Sequence, residues 1–330
     1  MHLLFDKIIG TGGIGSGMLF YLDNDQPIGR NESRLAVLSG ARDYCKQHII
    51  LHYIAKTLSP AAQVLAIGAV GQDSNGQQLL REMAAAGIDT RFVRQDADNP
   101  TMLSMCVQYA DKSGFNVTTS NSASGALTAE YAEDCLHGLE ISRRTLVLSA
   151  PEVPLEARFA LMRCAKAHGA FCAASVLKDE ADEFAAAGGF ALCDLLAVNE
   201  DEAQAIAGTT TADIAQIASD CFSRVARHNP DVMLVVTAGK LGSYSVFHGN
   251  IENIPALPAE PVSTAGAGDA YLAGVICGLS LGLPLQNEGA AEKLRATDAG
   301  SFLAHLSILS PHTIADTVTG DEVRRFVQGR

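Results

Sequence analysis

The 330-residue sequence contains no tryptophan, and only 6% of its residues are aromatic. It is also short of positive charge, because 24 lysines and arginines face 37 aspartates and glutamates and leave a formal net charge of −13. A chain this acidic repels a phosphate backbone unless its basic residues form a local stripe, and the sequence has no such stripe. We therefore expect no nucleic-acid partner.

Long hydrophobic runs are missing as well. The longest stretch without a charge, residues 270–287, is interrupted by three glycines and a proline, so it is a poor membrane span. Asp6 and Lys7 stand where a secretory signal would be apolar. The eight cysteines form no Cys-x-x-Cys pair, which is typical of reduced, buried thiols. These features predict a cytoplasmic protein without a membrane partner.

Short aliphatic runs alternate with helical patterns along the chain. The helical patterns cover residues 76–86, 155–168 and 200–207, and a glycine follows each of them. This alternation predicts a mostly parallel sheet covered by helices on both faces, a three-layer α/β/α fold within one domain of residues 1–330. The runs expected as buried strands are 7–10, 64–68, 145–149, 170–174, 195–199 and 233–237.

Two regions break the alternation. Residues 101–109 alternate in polarity and lead through a turn at 111–114 into residues 115–120, which predicts a hairpin. Together with the irregular region before Leu38, this hairpin predicts a small inserted sheet that forms a lid, with segments at about 15–38 and 100–121. A second hairpin, 243–247 with 251–254, is expected at the edge of the main sheet.

The segment Ser263–Asp269, with the sequence STAGAGD, is the strongest local signal for function. Its small residues run into an apolar stretch that predicts a buried helix beginning near Gly266. The first amides of a helix lack partners within it and form a site for an anion. Asp269 would repel a bound phosphate unless it faces a hydroxyl whose proton it accepts. The segment therefore indicates phosphoryl transfer to an alcohol; a tight turn with an aspartate cap is the structural alternative.

With this signature the chain resembles the ribokinase, or PfkB, family of carbohydrate and nucleoside kinases, whose pattern reads Asp-Thr-x-Gly-Ala-Gly-Asp. Residues 67–76, 199–202 and 236–242 match three further family patterns in order and spacing, so the resemblance covers roughly residues 8–310. It implies a ribokinase-like fold with a small β-sheet lid. It also implies a kinase that uses ATP and Mg²⁺ to phosphorylate a hydroxyl of a sugar or sugar-like small molecule.

The resemblance assigns roles to individual residues. Asp269 would be the general base, and the backbone of Gly266, Ala267 and Gly268 would neutralise the transferred phosphoryl group. Asn199 and Glu202 would order Mg²⁺ through water, a role compatible with a helix N-cap and its capping-box acid. The implied nucleotide-binding residues are Asn199, Glu202, Thr237, Gly239, Gly242 and Thr264.

The chain departs from the family pattern where the acceptor binds. Gly15 replaces an aspartate that grips substrate hydroxyls, and Tyr44 falls where the pattern Gly-Gly-x-x-x-Asn has its asparagine. Ser263 replaces the first aspartate of the signature and leaves the dependence on a monovalent cation open. The sequence thus predicts retained phosphoryl transfer with a rebuilt acceptor site, whose residues are expected to be Gly12, Gly13, Gly40, Arg42 and Asp43. Arg42 would suit an acidic sugar.

Other interpretations remain open. The acceptor could be a nucleoside, and the altered acceptor site could mark a non-catalytic nucleotide- or metabolite-binding regulator. Residues 10–15 also match the Gly-x-Gly-x-x-Gly fingerprint of dinucleotide binding, but Asp23 comes too early to be its partner acid. The lid would leave apolar strand surface uncovered, so we expect a homodimer formed through it.

Overall fold

The computed structural model describes residues 3–111, 113–287 and 293–328, which form two sheets and ten α-helices. The strands are β1 (Lys7–Thr11), β2 (Gly15–Tyr21), β3 (Val37–Leu38), β4 (Asp43–Tyr44), β5 (Gln63–Gly71), β6 (Ile88–Asp96), β7 (Met102–Gln108), β8 (Gly114–Thr118), β9 (Thr145–Ser149), β10 (Phe171–Ser175), β11 (Leu195–Asn199), β12 (Met233–Thr237), β13 (Ser243–Phe247) and β14 (Asn250–Ile254). The helices are α1 (Lys46–Leu58), α2 (Ser74–Ala85), α3 (Ala129–His137), α4 (Leu155–Ala167), α5 (Ala181–Ala186), α6 (Glu200–Ala207), α7 (Ile214–Val225), α8 (Ala267–Ser280), α9 (Ala296–Ile308) and α10 (Gly320–Val327).

The larger sheet has nine strands in the order β14-β13-β12-β11-β10-β9-β1-β5-β6. Seven neighbouring strands, from β12 to β6, run parallel, and the β13–β14 hairpin adds an antiparallel edge. Every parallel strand ends at the same edge of the sheet. In an open α/β sheet, that edge is where ligands bind.

Helices cover both faces of this sheet, because successive strand residues point to opposite sides. Ile8 of β1 packs in a core with residues of α1, α8 and α9, whereas its neighbour Ile9 packs in a second core with residues of α4, α6 and α7. Both isoleucines are fully buried. The three-layer α/β/α architecture expected from the sequence is confirmed.

The second, small sheet contains β3, β2, β7 and β8 in that order, with β4 paired to β2. The segments predicted as a lid contain four of its five strands, and β4 lies outside them. β2 begins four residues after β1 ends, and β4 leads directly into α1. The small sheet is therefore attached to the main sheet at the carboxyl end of β1, beside the ligand-binding edge.

The predicted elements appear with boundaries shifted by a few residues. All six predicted strands and three predicted helices are present, and Gly87, Gly169 and Gly208 after these helices have the positive φ expected of helix-ending glycines. Both hairpins form. The turn predicted at 111–114 includes Lys112, which lies outside the described residues.

The segment at 67–76 ties the two sheets together. Asp73 caps α2 by accepting a hydrogen bond from the Gly76 amide at 2.8 Å, and its other oxygen accepts one from the Thr101 amide at 2.8 Å, just before β7. The dinucleotide fingerprint at 10–15 is not followed by a helix, because β2 begins at Gly15. Without a helix N-terminus to bind a pyrophosphate, that interpretation is wrong.

The remaining sequence expectations concern reduced cysteines and the absence of a membrane span. All eight cysteines are free, and six of them are buried. Within the described ranges 3–111, 113–287 and 293–328, no helix is both long and apolar enough to cross a membrane. The charge-free stretch at 270–287 contains most of α8, whose residues from Ala270 to Ser280 are buried in the core.

Candidate active site

Two cavities lie at the carboxyl edge of the main sheet and share a wall. The outer cavity, of about 450 Å³, lies between the loops around β12–β14 and helices α8 and α9. The inner cavity, of about 200 Å³, lies at the ends of β10, β11 and β12. Thr237, Gly268 and Tyr271 line both cavities. A ligand in the outer cavity can therefore reach the inner one past the start of α8.

The start of α8 has the features predicted for an anion site. Gly266 is its N-cap, with a φ of 77° and no side chain that caps the helix. A Cβ at this glycine would lie 2.8 Å from the Thr313 carbonyl oxygen, so only glycine fits this turn. The Ala267 amide, one of those predicted to face an anion, donates to the Thr264 carbonyl at 3.3 Å. It is therefore partly engaged. The amides of Gly268 and Asp269 make no such backbone contact within the described residues.

Asp269 lies in the first turn of α8 and lines the inner cavity. Burial, with the charges of Glu202 and Asp43, raises the pKa of its carboxyl group to about 6 against the opposing effect of the nearby Lys46 ammonium. A carboxylate with a pKa close to neutral pH is suited to act as a general base.

Asn199 and Glu202 form a reciprocal capping box at the start of α6. The Asn199 side chain accepts a hydrogen bond from the Glu202 amide at 2.9 Å, and Glu202 Oε2 accepts one from the Asn199 amide at 2.8 Å. Both residues also line the inner cavity. The helix-capping interpretation is confirmed, and it leaves Glu202 Oε1 free of the cap.

Lys46, at the start of α1, is a site residue that the sequence reasoning missed. Its Nζ lies 3.4 Å from Glu202 Oε1, and its side chain lines the inner cavity beside Asp269. Burial disfavours the charged form, but the carboxylates of Asp269, Glu202 and Glu152 outweigh it and raise the pKa of Lys46. The ammonium therefore stays protonated inside an acidic site.

Glu152 is a second site residue that was missed. It follows β9 by three residues, adopts a positive φ of 74°, and places a buried Oε2 that has no hydrogen-bond partner in the described structure. Burial raises the pKa of Glu152 to about 7, while a hydrogen bond from Cys45 lowers it. Glu152 packs over Gly13, where a Cβ would lie 2.8 Å from Oε2. Gly13 thus makes room for this carboxyl group, and Gly12 lies against Ala150.

The remaining predicted acceptor residues lie at the junction with the small sheet. The Asp43 carboxylate covers Gly17 and accepts a weak hydrogen bond from Cys106 Sγ at 3.8 Å, and burial raises its pKa. The Arg42 guanidinium lies 3.5 Å from Glu82 and is more than half exposed. Gly40 is exposed, and a Cβ there would meet nothing within 4 Å.

Tyr44, the residue expected in place of the family's asparagine, contacts Glu82 and His48. Its hydroxyl donates to Glu82 at 3.0 Å, and its ring stacks edge-on against His48. Lys46, two residues further along, is the side chain from this segment that lines the inner cavity. Tyr44 is not among the described residues that line this cavity.

The outer cavity contains most of the residues predicted to bind the nucleotide. Thr237, Gly239, Gly242 and Thr264 line it, together with Lys240 and a wall of small apolar residues. Gly239 and Gly242 have positive φ values of 53° and 88°. A narrow groove with apolar walls and a polar end is the shape that fits a flat base joined to a charged tail. The apolar wall comprises Ala256, Leu257, Pro258, Ala259 and Pro261.

Apart from Gly266 and the residues that line only the outer cavity, the predicted residues fall into three groups. Asn199, Glu202, Thr237, Gly268 and Asp269 come together around the inner cavity. Gly12, Gly13 and Asp43 lie behind it, and Gly40 and Arg42 lie towards solvent. Glu152 could have been found from the sequence, because it follows a predicted strand at the ligand-binding edge. Lys46 carried no comparable signal.

A large cavity that meets a carboxylate-lined pocket at an uncapped helix N-terminus is an arrangement typical of enzymes that transfer phosphoryl groups to alcohols. Comparison with known families agrees. Residues 50–315 match the model of the pfkB family of carbohydrate kinases, and the chain belongs to this family. It is a sugar or nucleoside kinase, a phosphotransferase that acts on a hydroxyl group.

Individual proteins resemble this chain in sequence or in fold. A fructokinase of Klebsiella pneumoniae is 29% identical over 237 residues, which cover 66% of this chain and 72% of the fructokinase. The structure of a ribokinase from Giardia lamblia superposes with a TM-score of 0.81 at 18% identity and covers 98% of each chain. The aminoimidazole riboside kinase of Salmonella enterica, solved with aminoimidazole riboside and an ATP analog, gives a TM-score of 0.71 at 17% identity and covers 97% of this chain and 99% of that one.

Proposed function

We propose that this kinase transfers the γ-phosphoryl group of ATP to a hydroxyl of a neutral sugar. Asp269 acts as the general base, and the α8 N-terminus at Gly266, Ala267 and Gly268 receives the transferred group. The observation that carries the proposal is the shared wall of the two cavities. A nucleotide in the outer cavity would extend its phosphates past Gly268 to the carboxylate that must take the acceptor proton.

The character of the acceptor follows from the charges behind the inner cavity. Asp43, Glu152 and Asp269 are close enough for their charges to act on the Cys45 thiol, which lies among them. Carboxyl groups accept hydrogen bonds from hydroxyls and repel a carboxylate or phosphate. Arg42, the cation that would suit an acidic sugar, is paired with Glu82 instead. A neutral polyhydroxylated acceptor therefore fits best.

The donor residues present also fit Mg²⁺ bound together with the nucleotide. Across the described ranges, no three histidine, cysteine or acidic residues form a metal site. An ion held mainly by phosphate oxygens and water needs no such cage, and Asn199 and Glu202 would order its waters at the cavity rim. When bound, the ion would neutralise charge on the nucleotide phosphates.

We further propose that the small sheet closes over the acceptor as a lid within a single 1–330 domain. β2 begins just after β1 ends, and it pairs with β4 so that Gly17 lies opposite Asp43, close to the ligand-binding edge. Closure would exclude water and so limit wasteful hydrolysis of ATP. A nucleoside is the second candidate acceptor, because the fold neighbour from Salmonella enterica was solved with a riboside.

The test is an ADP-release assay with ATP and Mg²⁺ across neutral sugars, acidic sugars, polyols and nucleosides. We expect acceptor-dependent release with a neutral sugar, and a loss of kcat of about 100-fold or more in Asp269→Asn. Asp179→Asn, which changes an exposed aspartate that lines neither cavity, is the matched control and should keep full activity. Release with an acidic sugar alone would contradict the proposed acceptor class, and full activity of Asp269→Asn would contradict the proposed base.

A further inference from the structure

The side chain of Lys46 can reach a ligand in the inner cavity. Its side chain is 24% exposed, and that exposure opens into the inner cavity. Of the described residues that line this cavity, Lys46 is the only lysine or arginine. Gly268, at the start of α8, lines both this cavity and the outer one. A phosphoryl group that passes Gly268 therefore approaches one cation, and that cation is Lys46.

The ion pair between Lys46 and Glu202 can be exchanged for a contact with a ligand. Its Nζ lies 3.4 Å from Glu202 Oε1, a long separation for an ion pair, whereas Glu202 Oε2 is held by the Asn199 amide at 2.8 Å. Breaking the ion pair leaves the capping box intact. Lys46 can consequently leave Glu202 without any cost to the start of α6.

The backbone of Lys46 is fixed, whereas its side chain is flexible. Lys46 is the first residue of α1, and the following residue, Gln47, fixes the helix start by donating to the Gly10 carbonyl at 2.9 Å. The flexible side chain of Lys46 thus projects from a fixed backbone. Such a group can follow a moving anion over a short distance without rearrangement of the protein.

We propose, on the basis of the kinase function proposed above, that Lys46 is a catalytic residue whose ammonium leaves Glu202 and contacts the transferred phosphoryl group. Negative charge on the equatorial oxygens of that group must be stabilised in the transition state. The amides at the start of α8 approach it from the nucleotide side. Lys46 approaches it from the acceptor side and completes the set of positive groups around it.

The first test compares Lys46→Met with Lys46→Arg. We expect Lys46→Met to lose about 100-fold or more in kcat while its Kd for ATP changes little, because the contact forms on the transferred group. Lys46→Arg keeps the charge and should recover part of the loss. Lys56→Met is the matched control, since Lys56 is exposed and lies at the other end of the same helix.

A second test does not depend on the identity of the acceptor. Aluminium fluoride with Mg²⁺ and ADP mimics a transferred phosphoryl group, and in the wild-type protein it should tighten ADP binding, as measured by the rise in Tm. In Lys46→Met the ADP-dependent rise should remain and the additional rise from fluoride should be lost. An unchanged additional rise would overturn the proposed contact, even if the variant were inactive for other reasons.

The pH profile separates contact from a purely electrostatic effect on Asp269. If Lys46 only keeps Asp269 ionised, Lys46→Met will recover wild-type kcat at high pH, and the proposal is wrong. A loss of kcat that persists across the whole pH range supports contact with the phosphoryl group. Failure of the kinase proposal itself would look different, because the wild-type protein would then release no ADP with any acceptor.

Discussion

Among single residues, Asp269 determines how the enzyme should respond to pH. Burial raises the pKa of its carboxyl group to about 6, and only the ionised form can accept a proton from the acceptor. We therefore expect kcat to fall about tenfold per pH unit below pH 6 and to level off above pH 7. A kcat profile with a saturating acceptor measures this. A flat profile down to pH 4 would contradict the assigned base.

The raised pKa of Asp269 also makes the stability of the fold depend on pH. The direction of this dependence is opposite to that of most carboxylates. Because the pKa of Asp269 is higher in the folded than in the unfolded protein, the folded state binds the proton more tightly. Stability that is present below about pH 4 is therefore lost as the pH rises through 6. Asp269→Asn should have a higher Tm than the wild-type protein at pH 7.5, and this gain should disappear at pH 4.

Among the secondary-structure elements, helix α1 makes the fold sensitive to acid. His48 and His52 lie one turn apart on its buried side, and three of their four ring nitrogens have no hydrogen-bond partner within the described structure. Burial, together with the charge of His52, lowers the pKa of His48 to about 3; burial and Lys56, against the opposing charge of Asp316, lower the pKa of His52 to about 4. Between these values and 6.5 the unfolded chain binds more protons than the folded one. Stability must then fall as the pH falls through this range.

His48→Leu tests this property of α1. The slope of unfolding free energy against pH between 4 and 6 should decrease by at most about 1.4 kcal/mol per pH unit, the value for one full proton. Denaturant titrations at several pH values measure the slope. His137→Leu, at an exposed position in α3, should leave it unchanged. An equal slope in His48→Leu and the wild-type protein would contradict the proposed cause.

Helix α1 also shows where sequence reasoning stops. The strands of the main sheet were predictable because each is a short aliphatic run, and several helices were predictable because a glycine ends them. Nearly every residue of α1 is buried, polar side chains included, so its sequence has no apolar stripe to reveal its start. Without that start, Tyr44 and Lys46 could not be told apart as the inward-facing residue. The capping box at Asn199, in contrast, is a local pattern and was recognisable.

At the scale of the whole molecule, the main exposed apolar surface of the described residues lies on the small sheet and its loops. Leu35 is 97% exposed and Val37 is 69% exposed, and Leu38 beside them is more than half exposed. Exposed apolar residues gathered on one sheet favour association with a partner. We expect a dimer formed through this surface in solution. The other exposed apolar residues of the small sheet and its loops are Met18, Tyr21, Ile28, Met105, Phe115 and Val117.

Analytical ultracentrifugation at micromolar concentration checks this expectation. Leu38→Asp should shift the protein to the mass of a monomer by placing a charge in the interface. Ile251→Asp, an equally drastic change on the exposed edge strand β14, should leave the mass unchanged. A monomeric wild-type protein, or a Leu38→Asp variant that remains a dimer, would contradict an interface through the small sheet.

The acceptor and phosphate residues reach the active site on separate segments of the chain. The expected acceptor residues Gly40, Arg42 and Asp43 lie just before β4 or in it, whereas Gly266 to Asp269 form the start of α8. Substitutions near residues 40–43 can therefore alter which alcohol is accepted without disturbing the phosphate-binding turn or Lys46. In evolutionary terms, this arrangement lets a new substrate preference arise by drift in one short segment while the inherited chemistry is preserved. It also makes that segment the natural place to begin redesigning the enzyme's substrate.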